Sequence, residues 1–539
     1  MKLVEALHEV AQRQPNTIGL KYPVCNQGVQ YRTKTFQELD HEVDLLATYL
    51  LMRQITAGKK IVLLLPPGES LLITVFALLR LGAIPVVIDP GMGFKNFFHC
   101  VCRVQPYGLI GCQRARLLYY LIRPCIHFSS VVFLSKSLKK RLLTHDFACH
   151  LQPNADDNRT AAVLFTSGST GHPKGAVYTY AAFNAQMEAL IHAFGIQPGE
   201  VDLPLLPVFS LYNPAMGLTT VVPEMDPAHP STLNPAKIAQ SIIANQVTHS
   251  FGSPRLWTKI VDYCEAQHLQ FPSIKRLFLA GAPVHPTLLQ RAQALVPNGQ
   301  VLTPYGATEA LPIAYISATE VIQNTYQRTI QGHGTCVGHP MPNIQVRIIP
   351  ITQSAFEVLP ESLPIGTIGE ITVTAPYIST SYLNDPEATQ KAKVRDASGR
   401  IWHRMGDAGY MDTEGRLWFC GRKIERVVTD TQIFYTDCCE TIFNTHPRVF
   451  RTALIAYKTK NGIQPAIVVE LKPGIAKSEL PFIFKELRTL AKQHSVTESI
   501  RHFGYYPVFP VDVRHNAKIH RLTLQHYFAK HSRRIHALD

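Results

Sequence analysis

The residues best suited to chemistry lie in Leu164 to Gly175, which reads LFTSGSTGHPKG. Gly168, Gly171 and Gly175 let the backbone turn its N–H groups toward an anion without Cβ interference. Thr166, Ser167, Ser169 and Thr170 add hydroxyl donors, and Lys174 adds a mobile point charge. The combination suits a polyphosphate. A P-loop would place glycine before the lysine, Ser or Thr after it, and then a helix. Here Pro173 precedes Lys174, Gly175 follows it, and Ala176 to Tyr180 is an apolar run of strand character, so the Walker reading fails. Taken alone, the same composition also describes an ordinary flexible loop.

Four further positions are individually ambiguous. Tyr305-Gly306-Ala307-Thr308-Glu309 reads by itself as a turn followed by a helix cap. Asp407, between Gly406 and Gly409, has the look of a common turn, and Gly421-Arg422-Lys423 is a short basic punctuation. Lys518, within Val511 to Ile519, reads as one more cation in a basic tail.

In this order and at these distances, however, the five segments resemble the motifs of the adenylate-forming superfamily, which includes acyl-CoA synthetases, nonribosomal peptide adenylation domains and luciferases. The resemblance implies ATP and Mg²⁺ as cofactors, with Lys518, Lys174, Thr308 and Glu309 as catalytic residues. It implies nucleotide contacts from Thr166, Ser167, Gly168, Ser169, Thr170, Gly171 and Lys174. Gly281, Ala282 and Pro283 join them, with Tyr305, Gly306 and Thr308, then Asp407, Arg422 and Lys518. Tyr305 would stack on adenine, Thr308 would donate to the α-phosphate, and Asp407 would accept both ribose hydroxyls, with Arg422 also at the ribose. Glu309, a hard oxygen ligand, and Thr166 would hold Mg²⁺. Lys518 would bridge the substrate carboxylate and the α-phosphate, stabilising charge on the pentacovalent transition state.

Two departures narrow the acceptor of the acyl group. Many acyl-CoA synthetases carry an aromatic-His pair where this chain has Pro207 to Pro214, and a hinge-loop glycine beside the thiol tunnel where it has Thr431, with Thr436 at a usual proline. A β-branched residue resists glycine's backbone angles and narrows a passage. Pro207 to Gly217, Met225-Asp226-Pro227, Tyr305 to Pro312 and Phe509 to Arg521 (FPVDVRHNAKIHR) are instead similar to the β-lactone synthetases of bacterial long-chain olefin biosynthesis. That likeness implies activation of a long-chain 2-alkyl-3-hydroxy acid, ring closure by its own β-hydroxyl, and association with other olefin-pathway enzymes. Leu205 to Val222 is then a candidate acyl-pocket wall, and ordinary core packing explains it equally well. The alternatives are a long-chain fatty acyl-AMP or acyl-CoA ligase and a non-catalytic acyl- or nucleotide-binding protein.

The elements that must carry these residues alternate. Helices are expected at Val4–Arg13, Phe36–Met52, Ser70–Leu81 and Ala181–Phe194, and strands at Lys60–Leu65, Ile84–Ile88, Ala161–Phe165, Ala176–Tyr180, Val247–Ser250, Leu277–Leu279 and Val301–Thr303. That rhythm predicts an α/β fold with two helix-covered sheets. From Pro340 to Tyr382 the pattern changes to short β runs, predicting a small β subdomain. A boundary near Gly421 would separate an N-terminal domain, 1–420, from a small mobile α+β lid domain, 421–539.

Size and composition agree with several domains: 539 residues exceed one core, and 46% hydrophobic with 17% charged residues describes a globular chain. The net charge of +14 calls for an anionic substrate, an anionic membrane surface or a solvated basic face. No nucleic-acid-reading motif accompanies it. Glu5 falls where a signal peptide needs its apolar core, and Leu71 to Ile88 is broken by Arg80, Gly82 and Pro85, so a core helix is expected there, not a span. Eleven cysteines without a CxxC pair point to reduced thiols and a cytoplasmic protein, with peripheral membrane-surface contact as a further expectation.

Overall fold

The computed structural model describes residues 2–24, 30–88, 90–144, 157–166, 173–206, 210–226, 229–460, 462–511 and 518–538. Two large sheets dominate. The seven-stranded sheet runs Ser381–Tyr382, Lys174–Thr179, Thr160–Thr166, Ile84–Ile88, Lys60–Leu64, Gly108–Cys112 and Ser130–Leu134. Its pairs are parallel from Thr160–Thr166 outward to Ser130–Leu134 and antiparallel on the other side. A fourteen-stranded sheet includes the parallel run Val201–Asp202, His249–Gly252, Arg276–Leu279 and Gln300–Ala307.

Helices Leu3–Arg13, Phe36–Met52, Glu69–Arg80 and Tyr180–Phe194 share one core between the two sheets, with contributions from Ile61, Ile110, Phe278 and Leu302. Local chemistry sets their ends. The Phe36–Met52 helix starts at a capping box, in which Thr35 Oγ1 accepts from Glu38 N at 3.1 Å and Glu38 Oε2 accepts from Thr35 N at 2.7 Å. The greasy stretch after residue 68 is the Glu69–Arg80 helix feeding the Ile84–Ile88 strand. Arg80 does not break it. The guanidinium is buried and pairs with Asp40 at 2.6 Å and with Asp44, so the charge is compensated inside the core.

The structure adds two strands near the start of the chain and redraws the bounds of the short β runs. Ile18–Pro23 and Tyr31–Thr35 form an antiparallel pair at the edge of the larger sheet, so the chain's beginning feeds both sheets. The short β runs are not confined to 340–382. They continue through Ile401–Met411 and Leu417–Arg422 and join the larger sheet by the pairing of Ala310–Ser317 with Thr335–Pro340. Ser381–Tyr382 leaves that group to pair with Lys174–Thr179 in the other sheet. Beyond residue 422, a four-stranded sheet of Val449–Thr459, Gly462–Leu471, His502–Tyr505 and Ile535–Ala537 packs against Thr436–Phe443 and Leu480–Lys492 around a separate core.

Candidate active site

Tyr305-Gly306-Ala307-Thr308-Glu309 is the reversal of a β-hairpin, between the Gln300–Ala307 and Ala310–Ser317 strands. No helix follows, which removes the turn-and-cap reading. Gly306 is required by space: a Cβ there would lie 2.6 Å from the Ala310 carbonyl oxygen. The reversal is held from outside. Tyr178 donates its hydroxyl to the Thr308 carbonyl, and Ser379 N donates to the Glu309 carbonyl at 2.8 Å.

The Glu309 carboxylate is aimed by Tyr382, whose hydroxyl donates to Oε1 at 2.8 Å. Lys174 Nζ lies 5.2 Å from the centre of the Tyr382 ring, a cation–π distance. Thr166 and Lys174 are cross-strand partners at the open end of a hairpin, so their strands bracket the expected phosphate loop. Ser167, Gly168, Ser169, Thr170 and Gly171 lie outside the described residues, as does the Thr166 side chain.

A second cluster forms around Asp407. Asp407 and Arg422 are register partners on adjacent antiparallel strands. Arg422 Nη1 approaches Asp407 Oδ1 to 3.1 Å, while Tyr305 donates its hydroxyl to Oδ2 at 2.6 Å. Oδ1 has no hydrogen-bond partner among the described residues, although the carboxylate is buried. Burial pushes the Asp407 carboxyl up, opposed by Arg422, by the Tyr305 hydrogen bond and by the charge of Lys518. Burial, reinforced by Asp407, likewise drives the Tyr305 phenol well above its usual range. The Tyr305 hydroxyl is thus directed at the carboxylate, with the ring 6.0 Å from that of Phe419.

Lys518 itself is exposed, just before the isolated bridge between Ile519 and Val511. Residues 512–517 lie outside the described residues. Its place is fixed from the other side. Arg521 binds Glu440 through Nε at 2.7 Å and Nη2 at 2.6 Å, and Glu425 through Nη1 at 2.8 Å. The C-terminal segment is therefore tied to the chain just after Arg422.

Gly281, Ala282 and Pro283 follow the end of the Arg276–Leu279 strand, the parallel neighbour of the strand carrying Tyr305. Gly281 has φ +94, a conformation that favours glycine. Thr431 is exposed beside the Ile433–Phe434 strand, and Thr436 is buried at the start of the Thr436–Phe443 helix. A Cβ on Gly421, at φ +123, would lie 2.1 Å from Thr436 Oγ1. Of the proposed acyl wall, Tyr212, Ala215, Met216 and Leu218 pack into the core between the sheets, and Leu205 and Val221 into the core behind the larger one. Core packing accounts for these six; Pro207, Val208 and Phe209 lie outside the described residues.

Several residues of the site have no signature in the sequence. Tyr382 and Ser379 reach Glu309 because the chain crosses between sheets at 381. Lys393 Nζ donates to Ser379 Oγ at 3.0 Å, and burial, opposed by Glu309, lowers its ammonium to about 7. Lys423 Nζ reaches Glu370 at 2.7 Å, and Arg404 reaches the same carboxylate at 2.6 Å, which fixes the strands beside Asp407.

Among the described residues no group of three or more His, Cys, Asp and Glu could hold a metal. A single carboxylate such as Glu309 nevertheless suits Mg²⁺, which keeps its waters and takes much of its coordination from substrate phosphates.

Comparison with known proteins accords with this arrangement. A family described as AMP-binding enzyme matches residues 7–383. The chain is 40% identical to an olefin beta-lactone synthetase of Xanthomonas campestris pv. campestris, over 97% of this chain and 96% of that one. It is 38% identical to a protein of the same name from Stenotrophomonas maltophilia, over 96% of each. The amide bond synthetase McbA of Marinactinospora thermotolerans has the same fold, with a TM-score of 0.81 at 20% identity, covering 98% of this chain and 99% of that one. The protein therefore belongs to the AMP-binding enzyme family and is an ATP-dependent, acid-activating ligase.

Proposed function

We propose that the protein converts a long-chain 2-alkyl-3-hydroxy acid into its β-lactone. A carboxylate oxygen attacks the α-phosphorus of ATP, the bond to the β-phosphate oxygen breaks, and pyrophosphate leaves. The substrate's β-hydroxyl oxygen then attacks the acyl carbon, the bond to AMP breaks, and the hydroxyl proton passes to solvent. Holding the hydroxyl against the carbonyl supplies effective molarity that offsets ring strain.

The observation that carries this reading is the likeness to two olefin beta-lactone synthetases over nearly the whole chain. The residues have consistent roles. Asp407 and Arg422 take the ribose and Tyr305 borders the adenine, with Gly281, Ala282 and Pro283 and Gly306 as further nucleotide contacts. Thr308 meets the α-phosphate, and Lys518 bridges it to the substrate carboxylate. Thr166, Ser167, Gly168, Ser169, Thr170, Gly171 and Lys174 hold the departing pyrophosphate. Mg²⁺, held by Glu309 and Thr166, would screen the phosphate charge. The same reading divides the chain into a body, 1–420, and a lid, 421–539; the separate core and sheet after residue 422 support it.

The test is mass spectrometry of the products from ATP, Mg²⁺ and a long-chain 2-alkyl-3-hydroxy acid, with and without CoA. A CoA-independent product lighter than the substrate by one water, formed with AMP and confirmed as the ring, is expected. A thioester formed only with CoA would replace this reading with an acyl-CoA ligase.

A further inference from the structure

Residues 90–145 contain Lys95, Arg103 and seven more Lys or Arg between Arg114 and Arg141, with no Asp or Glu. The adenylation site uses none of them. The structure sorts these cations by face. Lys139 turns toward the helices between the sheets, where it meets Glu69 at 2.5 Å and Glu42 at 3.5 Å. Arg103 pairs with Asp385 at 2.7 Å. Arg114, Arg116 and Arg123, by contrast, are exposed around the Ala115–Ile122 helix and make no ion pair among the described residues.

That helix is apolar on both sides. Inward, Ile122 is buried and Leu118 and Tyr119 pack on the core that also holds Phe97 and Val101 of the Phe94–Val104 helix. Tyr119 meets the rings of Phe128 and Phe133 at 5.9 and 5.7 Å. Outward, Leu117, Tyr120 and Leu121 are 72%, 54% and 59% exposed. Their spacing of three and four residues makes one stripe on the solvent side. Phe94, on the neighbouring helix against the same core, is 54% exposed. Arginines edge this stripe. The Arg116 guanidinium lies 5.2 Å from the Phe133 ring centre and that of Arg123 lies 4.9 Å from Tyr120, which keeps both charges low beside the apolar groups.

An apolar stripe bordered by arginines that make no ion pair among the described residues matches the interface of an anionic bilayer: side chains enter the acyl boundary while arginines meet phosphate headgroups. We propose that the outer face of the Ala115–Ile122 helix docks the protein on anionic lipid surfaces. The contact is peripheral, since no helix among the described residues is long and apolar enough to cross a membrane. An eight-residue helix with three apolar anchors gives reversible, salt-sensitive attachment. The inference does not rest on the β-lactone reading, although a lipid substrate would give such docking a use.

The test is flotation of the full chain with vesicles of phosphatidylglycerol and phosphatidylcholine, or of phosphatidylcholine alone, at low and high salt. Two variants are compared, L117S/L121S and R114Q/R116Q/R123Q, all at exposed positions. Wild type is expected to float with the anionic vesicles at low salt, to be released by high salt, and to ignore phosphatidylcholine. Each variant should partition about tenfold less, with ATP–pyrophosphate exchange on a soluble acid unchanged. Failure of wild type to float with anionic vesicles, or equal flotation by wild type and the arginine variant, would overturn the proposal. So would a wild-type dimer in sedimentation equilibrium that L117S/L121S dissociates, which would assign the face to a second copy. Melting temperatures establish folding, and if the serine variant does not fold the arginine variant decides.

Discussion

The two ends of the candidate nucleotide site are built on opposite electrostatic plans. At the Asp407 end a single buried carboxylate is met by one guanidinium and one phenol, Arg422 from the adjacent strand and Tyr305 from the Gln300–Ala307 strand farther along the same sheet. At the Glu309 end the carboxylate has Lys174 near it over Tyr382, a Lys393 behind Ser379 that burial lowers to about 7, and the charge of Arg422, which it shares with Asp407. The first cluster pairs the Asp407 carboxylate with a guanidinium and a phenol of the same sheet. The second sets the Lys174 charge near a carboxylate that has no cation in direct contact among the described residues. The difference teaches that one carboxylate can be satisfied within the sheet itself, whereas the other is left to a reversal whose neighbours come from two sheets.

The strongest way to break the comparison is Asp407→Ala. It leaves the partly exposed Arg422 without its carboxylate and the Tyr305 hydroxyl without its acceptor, so a loss of about 2–4 kcal/mol in unfolding free energy is expected, measured by denaturant titration. A stability close to wild type would mean that the first end is not balanced by this pair. Lys518→Ala should do the opposite, leaving the melting temperature unchanged while ATP–pyrophosphate exchange falls by about 10²–10³-fold. An undiminished exchange rate would remove Lys518 from the chemistry. Tyr305→Phe sharpens the first end alone: it deletes one hydrogen bond to a charged group, so about 1.5–3 kcal/mol of stability should go, with a raised KM for ATP.

The last effect is a slope, smallest when read over a single pH unit. Lys393 is held at about 7, below the usual 10.5, so between these values the unfolded chain binds a proton that the folded chain does not. Stability from this group therefore rises with pH across that window, by at most about 1.4 kcal/mol per unit, and is flat below it. Lys393→Met should remove the slope, so the variant's advantage in melting temperature should be greatest near pH 7 and fade toward pH 10. A wild-type minus variant difference that does not change with pH would show that Lys393 is not desolvated as described.

Legibility in the sequence followed distance along the chain. The Phe36–Met52 and Tyr180–Phe194 helices and the hairpin around Lys174 were readable because their determinants are local: an apolar period, the Thr35 cap, and a glycine-rich reversal between two apolar runs. Asp407 and Arg422 were readable as motif members, but their partnership was not, since it arises from strand register. Tyr382 and Ser379 carried no signal of their own, because they are brought to Glu309 by a strand that changes sheets. The core helix ending near Arg80 was readable, but its ion pairs with Asp40 and Asp44, more than thirty residues earlier, were not. The strands Ile18–Pro23 and Tyr31–Thr35 were not foreseen, and their place at the edge of the larger sheet is set by pairing with Thr219–Val221, about two hundred residues away.

By itself, then, the sequence determined the elements, their alternation, and which residues could bind phosphate, metal or sugar, because side-chain chemistry and local periodicity are properties of neighbours along the chain. Only the tertiary structure decided which of those residues share a charge, which apolar segments are core, and which arginines face solvent. Burial and electrostatics depend on distances through space, and those are set by sheet order and register, which connect residues far apart in the chain.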